Sequence, residues 1–291
     1  MRHFGVALTF LTRLPWPRQG AVTPLDLSRA TAHFPLVGAA VGLFIGICFV
    51  LAGQLFPPML AATLAATAGV LLTGAFHEDA LGDVADGFGG GFTVERKLAI
   101  MKDSRQGTYG VLAIVLAMLV RIQAIALLPA AVAIQVLVAT HALSRVGPVF
   151  LLRLLPTVRP EGIGASAAGL SWREPLAAAS FGLGAGALSL LAAGPSGPAV
   201  NQLAAAAIAT IRGHAPSVAV SVASGPLAFP PSLWLPAWVT ALLLATAAAA
   251  AGTLLVGYLA RSQIGGITGD VLGTCQQVCE LLALLAIVLL V

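Results

Sequence analysis

The chain has 291 residues, 58% of them hydrophobic and only 9% charged, with a mean hydropathy of +0.97. A soluble domain carries charge on about a quarter of its positions, so 15 basic and 11 acidic residues cannot solvate a surface of this size and a soluble globular protein is excluded. The net charge of +4 comes from scattered basic residues that first need reading as topology signals, and it implies a lipid bilayer as partner and no nucleic acid.

In chain order, the first apolar stretch, residues 4–14, is too short to span a bilayer and lacks a small-residue cleavage site, which predicts an interfacial segment. No charged residue occurs between Arg29 and Glu78. About 20 apolar residues cross a ~30 Å hydrocarbon core, so that run predicts two helices, 34–56 and 57–76, turning at Pro57-Pro58. The stretch from Tyr109 to Phe150, broken by Pro129, predicts helices 3 and 4. Residues 176–194, 234–260 and 271–291 predict helices 5, 6 and 7, and the Pro/Gly/Ser-rich segment 195–233 is expected to lie outside. The expected fold class is thus all-α, a single polytopic helical bundle over residues 1–291.

Charge tests this partition, because cytoplasmic loops hold lysines and arginines. Arg2, Arg13, Arg18 and Arg29 precede helix 1; Arg96, Lys97, Lys102 and Arg105 follow helix 2; Arg153, Arg159 and Arg173 follow helix 4; Arg261 follows helix 6. These make 12 of the 15 basic residues, against Arg212 alone on the opposite face. Seven spans with segment 1–33 and loop 77–108 in the cytoplasm give this asymmetry. Cys48, Cys275 and Cys279 lie in apolar stretches and read as small buried hydrophobes.

Six of the eleven carboxylates, Glu78, Asp79, Asp83, Asp86, Glu95 and Asp103, fall in the 77–108 loop. Asp79, Asp83 and Asp86 are spaced i, i+4, i+7 and align on one face of a helical continuation of helix 2. Stacked like charges destabilise a helix unless a cation cancels them. Mg²⁺ suits the pattern, since it takes one or two carboxylates plus phosphate oxygens. Gly87, Gly89, Gly90 and Gly91 follow and permit close approach to a ligand; Lys102 and Arg105 supply a point charge and a planar fork for phosphate oxygens. Asp270, in Gly265–Gly273, is either an N-cap or a further ligand. Glu280 lies mid-helix, where an acid needs a polar partner; Arg121, His141 and Arg145 are candidates. His77 reads most simply as an interfacial imidazole.

The string from His77 to Gly87 resembles the signature of the cobalamin synthase (adenosylcobinamide-GDP ribazoletransferase) family. So do Ile100–Arg105, Gly107–Gly110 and Gly266–Asp270, with supporting matches in Phe10–Pro15, Phe34–Gly38, Ser144-Arg145 and Arg159–Gly162. The resemblance lapses at 195–233, where the family has a shorter connection. It implies coupling of α-ribazole or its 5′-phosphate to adenosylcobinamide-GDP, with GMP released and Mg²⁺ required, at the cytoplasmic side of an inner cell membrane. Carried onto these positions, it implies Asp79, Asp83 and Asp86 as metal ligands, with Asp103, Arg105 and Asp270 among the catalytic groups. Lys102, Arg105, Gly89, Gly90, Arg145 and Thr268 would contact substrate. Other cobalamin-assembly enzymes or a second copy of the chain are possible partners. Two other classes use similar parts. A prenyl or CDP-alcohol type transferase would need a second acidic motif or DG-xx-AR, whereas Asp86-Gly87 runs into Phe88-Gly89-Gly90-Gly91. A secondary transporter would place its site at the midplane between repeated halves, and no internal repeat is visible.

Overall fold

The computed structural model describes residues 1–17, 20–159, 170–192 and 234–290; segment 195–233, Arg18 and residues 160–162 lie outside them. Twelve α-helices occur among the described residues. A short N-terminal group comprises α1 (Arg2–Leu11) and α2 (Pro24–Ala30), the latter started by a reciprocal Thr23–Asp26 capping box. The bundle follows with α3 (Phe34–Ala52), α4 (Pro58–Thr73), α5 (Phe76–Gly90), α6 (Val94–Ile100), α7 (Thr108–Leu127), α8 (Ala130–Leu143) and α9 (Val146–Leu154). It closes with α10 (Arg173–Ala192), α11 (Trp234–Ile264) and α12 (Gly269–Val288). Six helical stretches are long and apolar enough to cross a membrane, and α4 with α5 brings the number up to seven. The expected all-α membrane bundle is therefore what the chain forms.

Small residues set the closest helix contact, as expected where lipid tails remove the hydrophobic incentive for helices to associate. Gly38, Gly42 and Gly46 form a stripe on α3 that lies directly on the backbone of α8, where a Cβ would meet His141, Leu137 and Ile134. Leu112, Val115, Leu116 and Leu119 of α7 remain exposed and make a lipid-facing side. The cysteines are free; Cys275 and Cys279 are buried where α12 meets α11, as their apolar context predicts, whereas Cys48 is only half-buried.

Two expectations need correcting. The acidic stretch does not continue helix 2: α4 stops at Gly74 (φ +70°) and Ala75 (φ +60°), and α5 leaves at 88° to it. Gly74 is fixed by a neighbour as well as by its φ, because the Arg13 guanidinium occupies the space of a Cβ. The second correction is that 77–108 is helical over most of its length, in α5, α6 and the start of α7. The α5 helix inserts between α7 and α12 and runs antiparallel to both: Glu78 reaches Arg121 and Gln277, Gly82 lies by Ile114, and Asp86 reaches Gly107 and Gly110. Its start is therefore deep in the bundle and its end at the side that carries Arg96, Lys97, Lys102 and Arg105.

Candidate active site

The first turn of α5 carries Glu78 and Asp79, where negative charge complements the helix dipole. Successive acids then face different neighbours. Asp86 is buried and accepts from Gly107 N (2.6 Å) and Gly110 N (2.8 Å), the free N–H groups that start α7. The N-cap of α7 is Gly107, which has no side chain to do this, so a carboxylate from α5 caps it across 21 residues of chain. Asp79 is exposed and Asp83 half-buried on the adjoining face. Gln106 Nε2 points between them, 3.5 Å from Asp79 Oδ1 and 3.3 Å from Asp83 Oδ1.

From the other side comes Asp270, in the first turn of α12. Thr268 is the N-cap of that helix, accepting from Val271 N, so Asp270 is released from the capping role. Arg159 Nη1 (2.9 Å) and Thr268 Oγ1 (3.3 Å) both donate to Asp270 Oδ2. Arg159 reaches it because Thr157 and Ile267 pair as a parallel bridge, with Ile267 N donating to Pro156 O at 2.9 Å. Gly266 is required there: a Cβ would collide with Pro156 O. Asp79, Asp83 and Asp270 are close enough for their charges to act on one another. The groove thus holds three carboxylates against one guanidinium, an excess of two negative charges. Among the described residues no three His, Cys, Asp or Glu side chains close on a common point, which leaves an open acidic groove and no all-protein cage.

Lys102 is exposed, and Arg105 is engaged by Asp103 through Nε (3.0 Å) and Nη2 (2.6 Å). The bonds from the Arg105 side chain and backbone N–H hold the Asp103 carboxyl down at about 2. Gly87, Gly89 and Gly90, expected to permit close approach to a ligand, form the last turn of α5, and their backbone serves that helix. Gly89 lies against the Tyr109 ring, while Gly90 meets only Ile100 at ordinary distance.

Beneath the groove lies a buried polar cluster. Arg121 is 5% exposed and bridges Glu78 Oε1 (2.8 Å) and Glu280 Oε1 (2.9 Å), and it also contacts the Gln277 amide. The Arg121–Glu280 contact is at ion-pair distance without a well-aimed N–H, so it is Coulombic more than a directed hydrogen bond. His141 Nδ1 lies 3.2 Å from Glu280 Oε2. Glu280 therefore has two of the partners its depth required. Arg145 is buried here as well, donating to His141 O at 2.8 Å, and it does not join Lys102 and Arg105. His77 is 5% exposed, so it is an interior side chain and not an interfacial one. The sequence reading overlooked Gln106, whose loop position carried no signal, and Gln276 and Gln277, whose paired amides in an apolar helix were one.

A family model described as Cobalamin-5-phosphate synthase matches residues 3–288. Curated relatives named adenosylcobinamide-GDP ribazoletransferase include those of Shewanella frigidimarina (37% identical over 98% of this chain and 93% of the relative) and Leptothrix cholodnii (36%, 98% and 94%). Another, from Shewanella amazonensis, is 36% identical over 99% of this chain and 95% of the relative. No solved structure matches.

Proposed function

Because the chain belongs to the cobalamin-5-phosphate synthase family, we propose that the groove between α5 and α12 is where it joins α-ribazole, or its 5′-phosphate, to adenosylcobinamide-GDP and releases GMP. The observation that carries the placement is the meeting of Asp79, Asp83 and Asp270 beside Gln106, the residue that follows Arg105 in the chain. The prenyl or CDP-alcohol transferase and the transporter are not favoured by a match of this length.

In the reaction a ribose hydroxyl attacks the phosphorus that carries the cobinamide, a new P–O bond forms, and the bond to GMP breaks. Negative charge gathers on the phosphoryl and leaving oxygens, and donors aimed there stabilise the transition state more than the ground state. Lys102 and Arg105 meet that charge at the rim. Asp103 holds Nε and Nη2 of Arg105 and leaves Nη1 to phosphate. Asp270, fixed through Oδ2, accepts the hydrogen bond of the attacking hydroxyl on its other oxygen. Asp86 works at one remove, by holding the start of α7 and with it Gln106.

The excess of two negative charges suits Mg²⁺, which binds through one or two carboxylates together with substrate phosphate oxygens. Asp79 and Asp83 would hold it, and when bound it would neutralise charge on the diphosphate. The basic residues at 96–105, 153–159 and 261 support a cytoplasmic site in an inner membrane. The test is GMP release by the full chain in lipid nanodiscs, given adenosylcobinamide-GDP, α-ribazole and Mg²⁺. Release only with both substrates and Mg²⁺ is expected; none with all three present defeats the reading.

A further inference from the structure

Arg159 and the end of α6 take no direct part in the phosphoryl chemistry, yet one guanidinium joins them to Asp270. Arg159 Nη1 donates to Asp270 Oδ2 at 2.9 Å, and Nη2 donates to Leu98 O, in the last turn of α6, at 3.2 Å. Resting on the function proposed above, we propose that Arg159 is a positioning residue: it keeps the segment 101–106, which carries Lys102, Arg105 and Gln106, in register with Asp270.

The backbone before Arg159 is fixed on both sides of the Thr157–Ile267 bridge, by Ile267 N donating to Pro156 O at 2.9 Å and Val158 N donating to Ile267 O at 3.1 Å. The Arg159 side chain therefore leaves from a set point beside the turn that enters α12. At α6 it meets a carbonyl that the helix itself does not use. Lys102 N, the group that would close one more turn on Leu98 O, donates to Ala99 O at 3.2 Å instead. Arg159 takes its place, and a cation suits the C-terminal end of a helix. No residue of α6 is buried, so polar ties hold it where core packing holds the longer helices. Lys97 makes a second tie, from its ammonium to Gln263 O at 3.5 Å and to the Gln263 side-chain oxygen, near the end of α11.

The segment 101–106 thus runs between two long-range caps of opposite sign. Asp86 accepts from the N–H groups that start α7, and Arg159 donates to a carbonyl that ends α6. The same planar group also holds Asp270, so a rigid fork sets the spacing between the hydroxyl acceptor on α12 and the donors between α6 and α7. A lysine ammonium, a single point charge on a flexible stem, does not reproduce that fork. A misplacement of about 1 Å in such a frame can cost about 100-fold in rate. Each Nη of Arg159 already serves a protein oxygen, which assigns this residue to positioning and not to the phosphates.

The full chain in lipid nanodiscs is assayed for GMP release as wild type, Arg159→Met, Arg159→Lys, Asp270→Asn and the double variant Arg159→Met with Asp270→Asn. Arg159→Met should lower kcat about tenfold or more, while KM for adenosylcobinamide-GDP and for α-ribazole each move less than about twofold. Arg159→Lys keeps the charge and one arm of the fork, so its kcat should fall between those of the wild type and Arg159→Met. In the double variant the two losses should not multiply, since Arg159 acts through Asp270. Amide hydrogen exchange reads the other arm: peptides covering 98–106 should exchange about threefold faster or more in Arg159→Met, with α12 unchanged. A KM for adenosylcobinamide-GDP that rises as far as kcat falls would make Arg159 a substrate contact and overturn the proposal. Losses that multiply, or unchanged exchange over 98–106, would overturn it as well. If Arg159→Met fails to insert, Arg159→Lys decides, and a wild-type kcat in that variant defeats the positioning role. Wild-type protein that releases no GMP defeats the function itself, whereas GMP release at normal rates by both Arg159 variants defeats only the role of Arg159.

Discussion

Replacing Arg121 by methionine removes the one cation among the described residues that touches both Glu78 and Glu280, on helices α5 and α12, from its seat on α7. Arg121 is thirteen residues from Thr108, about 20 Å into the bundle at 1.5 Å per residue. Glu280 keeps His141 at 3.2 Å, but Glu78 loses its charged partner and keeps only the Gln277 amide at 3.2 Å. Breaking one side of a buried pair costs about 3–5 kcal/mol, or roughly two to three and a half powers of ten in the folding equilibrium at 1.4 kcal/mol per decade. The same principle says that removing the charges together costs far less, so Arg121→Met with Glu78→Gln and Glu280→Gln should recover most of the loss. Unfolding in mixed micelles titrated with dodecyl sulfate, followed by tryptophan fluorescence, measures both. A loss under about 1 kcal/mol for the single variant, or a triple variant no more stable than the single, would refute the claim that Arg121 clamps α5 in place.

Other consequences can be checked separately. Gly110→Ala puts a Cβ into Asp86 Oδ2 and 2.8 Å from Gly82 O, so it should displace Gln106 and cut GMP release at least tenfold; near-normal turnover would remove Asp86 from its capping role. Arg105→Lys keeps charge but loses the planar fork, and should lower turnover with insertion unaffected; unchanged kinetics would leave Arg105 a topology signal only. The Asp103 carboxyl is depressed to about 2 by Arg105, so the pair is intact above the ordinary carboxylate range and is lost only as pH falls through about 2. Accordingly Asp103→Asn should leave the shape of the pH–rate profile between pH 5 and 8 unchanged, and a shifted limb would contradict this. Cysteines placed near Arg96 and Arg261 should resist impermeant reagents in intact cells while Leu55→Cys, in the exposed turn after α3, should label; the reverse pattern would invert the orientation.

What could be read from the sequence was what depends on local composition or on the bilayer. Uncharged runs and the Pro57-Pro58 and Pro129 breaks located the spans to within a few residues, because crossing hydrocarbon demands an uninterrupted apolar length. Glu280 announced a partner through the cost of an acid at its depth, and Arg121 and His141 were among the residues able to meet it. The break between α4 and α5 was hidden, since it depends on two left-handed residues and on Arg13 packing against Gly74 from sixty residues away. For the same reason the i, i+4, i+7 spacing showed three aspartates on one helix, but not that Asp86 turns to the N–H groups of α7 while Asp270 arrives beside the other two. Long-range pairing of Thr157 with Ile267, which delivers Arg159 to Asp270, likewise leaves no local trace.

The central claim is that Asp79 and Asp83 act together on one Mg²⁺ in the acidic groove. GMP release against Mg²⁺ concentration, for the wild type, Asp79→Asn, Asp83→Asn and the double variant, tests it most directly. Groups that act as a unit fail together, so each single variant should lose turnover and demand more Mg²⁺, and the double variant should be little worse than the poorer single. Wild-type rates and an unchanged Mg²⁺ dependence in all the variants would contradict the account and leave these aspartates as a solvated acidic face.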